Sequence, residues 1–320
     1  MRFLSSVLLA CTALLSSVEA QNGYKGFNYG AFFNNQQAKR RNDFAYEFNA
    51  AKQLPGTNGG FTSARLYTMI QWGTQNTVIE AIQAAIDTKT TLLLGMWCSS
   101  GQAAFDNEIA ALKAAIKQYG KAFTDLVVGI SVGSEDLYRI TPTSIQNGGG
   151  PGAQPQELLH YIQQTRDAIR GTALQGKPIG HVDTWTAYVN GSNSAVISAL
   201  DFLGVDAYPY FQTTMENSIG NANRTFYDAL QATINVSQGK PVWVTETGWP
   251  VTGPTQNQAV ASAENARVYW EDVACSLMAK NVNFYYYMLQ EAQYGNPSPD
   301  FGIKGPGDLM QIPTRFDVRC

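Results

Sequence analysis

Charge is scarce in this chain. Only 15% of its 320 residues are Asp, Glu, Lys or Arg, and the formal net charge is −3. A nucleic-acid partner needs a basic face to meet phosphates, so none is expected. Histidine is scarcer still: His160 and His181 are the whole supply. Neither stands at metal-ligand spacing from Cys, Asp or Glu, so neither a metal nor any other cofactor is expected. The Gly-x-Ser-x-Gly elbow of serine hydrolases is missing, because Gly133-Ser134-Glu135 does not complete it. No glycine-rich phosphate loop follows the first strand-like run, where FNYGAFFNN stands. After residue 20 no apolar run is long enough to cross a bilayer. The closing QIPTRFDVRC lacks the hydrophobic tail of a lipid-anchor signal, so no membrane partner is expected.

Cysteine is also sparse, at four residues. Cys11 lies in MRFLSSVLLACTALLSSVEA, where Arg2, an apolar stretch and a small-residue site at Val18-Glu19-Ala20 read as a secretory signal over residues 1–20. The mature chain, 21–320, is expected to be one domain, secreted to the extracellular space or cell wall, and monomeric. Three cysteines then remain, which leaves one thiol free or an intermolecular bond. The expected pair is Cys275 with Cys320, although sequence alone does not fix it; Cys98, closing an apolar run, is expected as a buried thiol. Three N-x-S/T sequons, at Asn190, Asn223 and Asn235, fit a secreted chain and predict surface positions.

What the chain has in quantity is apolar and aromatic side chains, 44% and 12% of the total. They fall into a rhythm. Short runs rich in Val, Leu, Tyr and Phe occupy 24–30, 62–69, 90–97, 125–135, 178–188, 201–211, 241–249 and 282–291. They mostly lack strict alternation, as strands buried on both faces do. Helical periodicity separates them. Phe105, Ile109, Leu112 and Ile116 make one stripe, and Leu158, Leu159, Ile162 and Ile169 another behind Pro155. Eight strands alternating with helices over about 300 residues predict an α/β fold, a (β/α)8 TIM barrel.

Such a barrel carries its site at the C-terminal strand ends. The acids there are Glu135 and Asp136, Asp183, Asp206, Glu246 and Glu291. A lone strand-end acid is usually a cap or an ion-pair partner. Glu135 in SVGSED and Glu246 in TETGWP stand apart, each straight after a strand and beside a turn or an aromatic. Two carboxyls across one cleft are what glycosidic cleavage requires: one a protonated acid, the other a carboxylate.

The segments VGISVGSEDLYR and VWVTETGWP resemble the signature blocks of glycoside hydrolase family 17, and GFNYG, SARLY and VDAYPYF sit where that family has its first, second and sixth strands. The likeness covers nearly all of the mature chain and is closest to the fungal secreted and cell-wall branch. It implies a (β/α)8 enzyme that cleaves β-1,3-glucan with retention, with Glu135 as acid/base and Glu246 as nucleophile. Hydrolysis by endo attack is the first expectation. Glucanosyl transfer is the alternative, and a non-catalytic carbohydrate-binding wall protein a weaker one. Many relatives have Asn before the acid/base; this chain has Ser134, which has shorter reach toward a sugar hydroxyl. Tyr208 is expected to bond Glu246, Tyr67 to touch the sugar at the cleavage point, and Asn28 and Tyr29 to line the cleft floor. Glu291 is expected on sugar hydroxyls or in a salt bridge, and Arg65 in an ion pair inside the barrel. Gly248 is read as a sharp turn that lets Trp249 wall the cleft or stack on a sugar, with core packing its equal rival. Asp136 is read as a solvated or capping acid, and Asp183 and Asp206 as acceptors behind the catalytic pair.

Overall fold

A computed structural model describes residues 23–320; the secretory signal expected over 1–20 lies outside the described residues. Among those described, eight parallel strands close into a barrel in chain order: β1 Lys25–Tyr29, β2 Ser63–Leu66, β3 Thr91–Met96, β4 Val127–Ser134, β5 Ile179–Thr184, β6 Phe202–Asp206, β7 Val242–Thr247 and β8 Phe284–Tyr286. Each lies inside one of the eight runs read from sequence. The seam closes with β1 beside β8, Gly26 opposite Tyr285.

Side-chain alternation sorts each strand into an outer and an inner set. Outward residues such as Phe27, Ala64, Leu94 and Val244 are wholly buried under the surrounding helices. The helices Gln102–Tyr119 and Pro155–Ile169 contribute the stripes expected of them, with Phe105, Leu112, Leu158 and Ile162 buried. The second helix opens with Pro155, and the Glu157 carboxylate accepts the Gln154 amide at 2.7 Å, pinning its first turn. Inward residues near the strand starts form a separate apolar plug of Leu93, Val128, Phe202, Trp243 and Tyr285. Phe202 and Trp243 stack there with ring centroids 4.2 Å apart. The plug closes one end of the barrel, so polar inward residues gather toward the other.

Cys275 and Cys320 form a disulfide, and Cys98 is a buried free thiol. Asn190 and Asn235 are exposed as expected of sequons. Asn223 is only partly exposed, and its side-chain amide donates to the Asp272 carbonyl at 3.0 Å. No described helix is long and apolar enough to cross a membrane.

Candidate active site

Glu246 owes its position to a bulge. On β7 Trp243 faces inward and Val244 outward, so strict alternation would send Glu246 outward as well. Val205 pairs with Val244 but Asp206 pairs with Glu246, which makes Thr245 an extra residue. Such an insertion re-aims the next side chain. Thr245 turns in and donates to Asp206 Oδ1 at 2.7 Å. Glu246 then meets three donors. Arg65 Nη1 and the Tyr67 hydroxyl both reach Oε1 at 2.6 Å, and the Tyr208 hydroxyl reaches Oε2 at 2.7 Å. Burial first, and then the Glu246 charge, pushes both phenols well above the ordinary tyrosine range, so they remain donors. Arg65 is itself anchored: Nη1 also donates to Asn28 Oδ1 at 2.7 Å, and Nη2 to Ser134 Oγ at 2.9 Å. Burial works against its charge, yet Glu246 and Asp206 hold its pKa above the ordinary value.

Glu135 follows a second bulge. Ser131 pairs with Gly180 and Ser134 with Val182, so β4 spends three steps where β5 spends two. Gly133 has φ +92°, and a Cβ there would lie 2.1 Å from Asp136 Oδ2, so only glycine fits. Glu135 itself is left-handed, at φ +58°, a costly backbone for a residue with a Cβ. Its amide donates to the Val182 carbonyl at 2.8 Å, and the short helix Asp136–Arg139 starts at the next residue. The carboxyl faces the cleft with 26% of its side chain exposed, and Arg139 stands 3.8 Å away. Burial raises its pKa to about 8, with further upward contributions from the charges of Glu246 and Asp183. Asp206 is likewise raised, by burial and then by Glu246, and its Oδ2 is buried without a partner among the described residues.

Both glutamates line one open cleft of about 1960 Å³, with Tyr67, Ser134, Tyr208 and Glu291. That exceeds the roughly 300–1,000 Å³ typical of a small-molecule pocket and suits a polymer. Glu291 also braces a neighbouring loop by accepting the Phe301 amide at 2.8 Å, and burial raises its pKa to about 7. Arg65 forms the ion pair expected of it.

Three expected cleft residues are elsewhere. Asn28 faces into the barrel but is 1% exposed beneath Arg65, which it positions. Tyr29 falls on the opposite face of β1 and packs edge-on against Phe48 under the helix layer. Trp249 is fully buried, between Tyr210 and Tyr269, with its ring N–H on the Val260 carbonyl at 3.0 Å. Gly248 before it does not need an unusual φ; a Cβ there would lie 2.1 Å from the Tyr287 carbonyl, so close approach is what requires glycine. Asp136, read as solvated or capping, is 0% exposed and holds the Ser99 hydroxyl at 2.5 Å and the Ser134 amide at 2.7 Å. Conversely, Trp97, Arg139 and Tyr287 line the cleft without having been singled out. Arg139 lies over the Trp97 ring at 5.3 Å. Its i+4 spacing from Glu135 was a usable signal, and Trp97 and Tyr287 directly follow β3 and β8.

Residues 26–300 match the family model of the BtgE/BtgC glycoside hydrolase domain. The chain belongs to this family. It is 54% identical over 313 residues to a probable glucan endo-1,3-beta-glucosidase of Aspergillus fumigatus, covering 98% of this chain and 68% of that protein. It is 31% identical over 299 residues to the glucan 1,3-beta-glucosidase of Saccharomyces cerevisiae, covering 88% of this chain and 86% of that one. Among solved structures it resembles the glycoside hydrolase family 17 beta-1,3-glucanosyltransferase of Rhizomucor miehei, with a TM-score of 0.72 and 26% identity over 93% of this chain and 98% of that chain. An active-site mutant of that transferase has been solved with laminaritriose. The family 17 likeness and the (β/α)8 barrel read from the sequence both hold, and the chain is a glycoside hydrolase by family.

Proposed function

We propose that this glycoside hydrolase cleaves β-1,3-glucan by double displacement, with Glu246 as nucleophile and Glu135 as acid/base. The observation that carries the assignment is the contrast between the two carboxyls of one cleft. Glu246 presents both oxygens to three donors, one of them a guanidinium. Glu135 is held toward its protonated form, with its nearest cation 3.8 Å away. In the first step Glu135 gives its proton to the glycosidic oxygen as Glu246 attacks the anomeric carbon, and an ester joins sugar to enzyme. The leaving chain departs with that proton. Glu135, now a carboxylate, takes a proton from an incoming hydroxyl, which attacks the anomeric carbon and frees Glu246. The names of the fungal relatives support β-1,3-glucan as substrate, and the size of the open cleft supports attack within a chain. Tyr67, Ser134, Tyr208 and Glu291 are the proposed sugar contacts. Ser134 Oγ accepts from Arg65, which leaves its own proton for a sugar hydroxyl. Secretion to the cell wall, as a glycosylated monomer, accords with the sequons and with the glucan-active relatives.

The likeness to a glucanosyltransferase favours one second reading, in which the incoming hydroxyl belongs to another glucan. One experiment addresses both. Wild type, Glu135→Gln and Glu246→Gln are incubated with laminarin and with short laminari-oligosaccharides, and products are sized by mass spectrometry. Wild type should shorten laminarin, and both variants should lose at least about a hundredfold in rate. Chains longer than the starting oligosaccharide would mean transfer. Near-normal turnover by either variant would remove the role assigned to that glutamate.

A further inference from the structure

Directly behind the Glu135 turn lies a cluster that the proposed chemistry does not use. His181 sits inside β5, wholly buried. Its Nδ1 is 2.7 Å from the Val132 carbonyl, in the bulged stretch of β4. Its Nε2 is 2.9 Å from Asp183 Oδ2. A carbonyl only accepts, so Nδ1 carries a proton. Asp183 is surrounded by donors: the Leu137 amide on Oδ2 at 2.9 Å, and the Tyr138 and Thr184 amides on Oδ1 at 3.3 and 2.8 Å. Both Asp183 oxygens already accept backbone N–H groups, so Asp183 is the acceptor in the ring contact as well and Nε2 carries a proton too.

We infer that His181 is a buried imidazolium and the positioning residue of the acid/base turn, tying the β4 bulge to the Asp183 carboxylate that caps the helix after Glu135. Its direct neighbours are Val132 of β4, Asp136 of the following helix, Asp183 of its own strand, and the Tyr188 ring, edge-on at 6.4 Å. Asp136 and Asp183 are both acids, and one cation between them lets two carboxyls stay buried beside the turn. Burial alone would lower the His181 pKa, but the Asp183 bond and the two acids outweigh it and raise it. Gly133 fits the same design, since a Cβ there would come within 3.0 Å of the His181 ring.

The charge is tested without reference to the reaction. The chain has two histidines, so ring-nitrogen NMR of 15N-labelled protein is assignable by comparison with His181→Gln; the exposed His160 gives the second signal. Both His181 nitrogens should carry protons from about pH 5 to about pH 8. An unprotonated His181 nitrogen anywhere in that range would overturn the assignment. The positioning role rests on the catalytic reading of Glu135. On laminarin, His181→Gln should lose roughly tenfold or more in kcat with KM within about twofold. The alkaline limb of its pH profile should move to higher pH, because the Asp183 charge then acts on Glu135 uncompensated. Lost activity with an unmoved limb, or unchanged kcat, would overturn the positioning role. If the variant does not fold, the limb is read instead on Asp183→Asn, where removing the carboxylate should move it to lower pH. A wild type inactive on laminarin would end the functional reading while leaving the NMR result standing.

Discussion

Arg65→Met is the sharpest probe of how Glu246, the proposed nucleophile, is held. Methionine is nearly as long as arginine and apolar, and the site is 1% exposed, so the substitution removes charge and donors while roughly filling the space. Four acceptors lose a partner, among them the Thr245 carbonyl at 3.4 Å. Glu246 Oε1 keeps only Tyr67, and Asn28 Oδ1 and Ser134 Oγ lose their guanidinium bonds. Breaking a buried ion pair by removing one partner costs about 3–5 kcal/mol, because the other charge stays buried and uncompensated. Asp206, which also feels Arg65, adds to the cost. A loss of about 4 kcal/mol is expected in urea denaturation followed by tryptophan fluorescence, with a fall in Tm of roughly 8 °C or more. The second arm separates charge from shape. Adding Glu246→Gln removes the stranded carboxylate, so the double variant should recover at least about 1–2 kcal/mol over Arg65→Met while remaining inactive. A single-variant cost below about 1 kcal/mol would refute the reasoning, and so would a double variant no more stable than additivity allows.

Glu135→Gln should be more stable than wild type at neutral pH. The folded-state pKa of Glu135, about 8, lies above the ordinary value of 4.5. The associated stability is therefore present below about pH 4.5 and lost as pH rises toward 8. Near pH 7 the variant should gain about 2–3 kcal/mol, and near pH 4 nothing; equal midpoints in urea at both pH values would contradict the raised pKa. Tyr208→Phe removes one donor from Glu246 and should lower kcat about ten- to a hundredfold with little change in KM, measured on laminarin. A loss under twofold would mean that this bond does no chemical work. Cys275→Ser opens a loop spanning 45 positions. Chain entropy sets the loss at no more than about 4 kcal/mol. A thermal midpoint unmoved by both the substitution and a reductant would show that the bridge contributes nothing.

The eight strands were legible because each is a dense run of large apolar residues between helices with clear stripes. That Glu135 and Glu246 would share one cleft was legible because a barrel gathers its strand ends, and few acids follow a strand directly. The bulges were not. Thr245 reads as any strand threonine, and only the pairing of Asp206 with Glu246 reveals it as the extra residue. Tyr29 was read on the wrong parity of a five-residue strand, whereas Asn28 does point inward and is hidden only because Arg65 lies over it. For Trp249 the core-packing alternative, left equal in the sequence, is the one the structure shows. The chain beyond Glu246 turns back onto the helix layer, where Tyr210 and Tyr269 receive the indole. Trp97 and Tyr287 were passed over although they obey the same positional rule as Tyr67 and the glutamates.

Two glutamates are the same molecule until their surroundings divide them. Here burial does most to raise Glu135, and where the cations stand adds to the division. Arg65 is 2.6 Å from Glu246, whereas Arg139 is 3.8 Å from Glu135 on a more exposed stem. His181 is spent on Asp183 and Asp136 and has no bond to Glu135. Asp206 receives a threonine hydroxyl on one oxygen and nothing described on the other, and its pKa rises accordingly. The carboxyl with the closest guanidinium is thus the one proposed to attack, and Glu135, with its pKa raised, the one proposed to carry the proton. Removing a cation should therefore shift the acidity of the carboxyl beside it. Arg139→Met should carry the alkaline limb of activity upward, while Arg65→Met should abolish activity at every pH. A limb unmoved by Arg139→Met would mean that the acidity of Glu135 is set by burial alone.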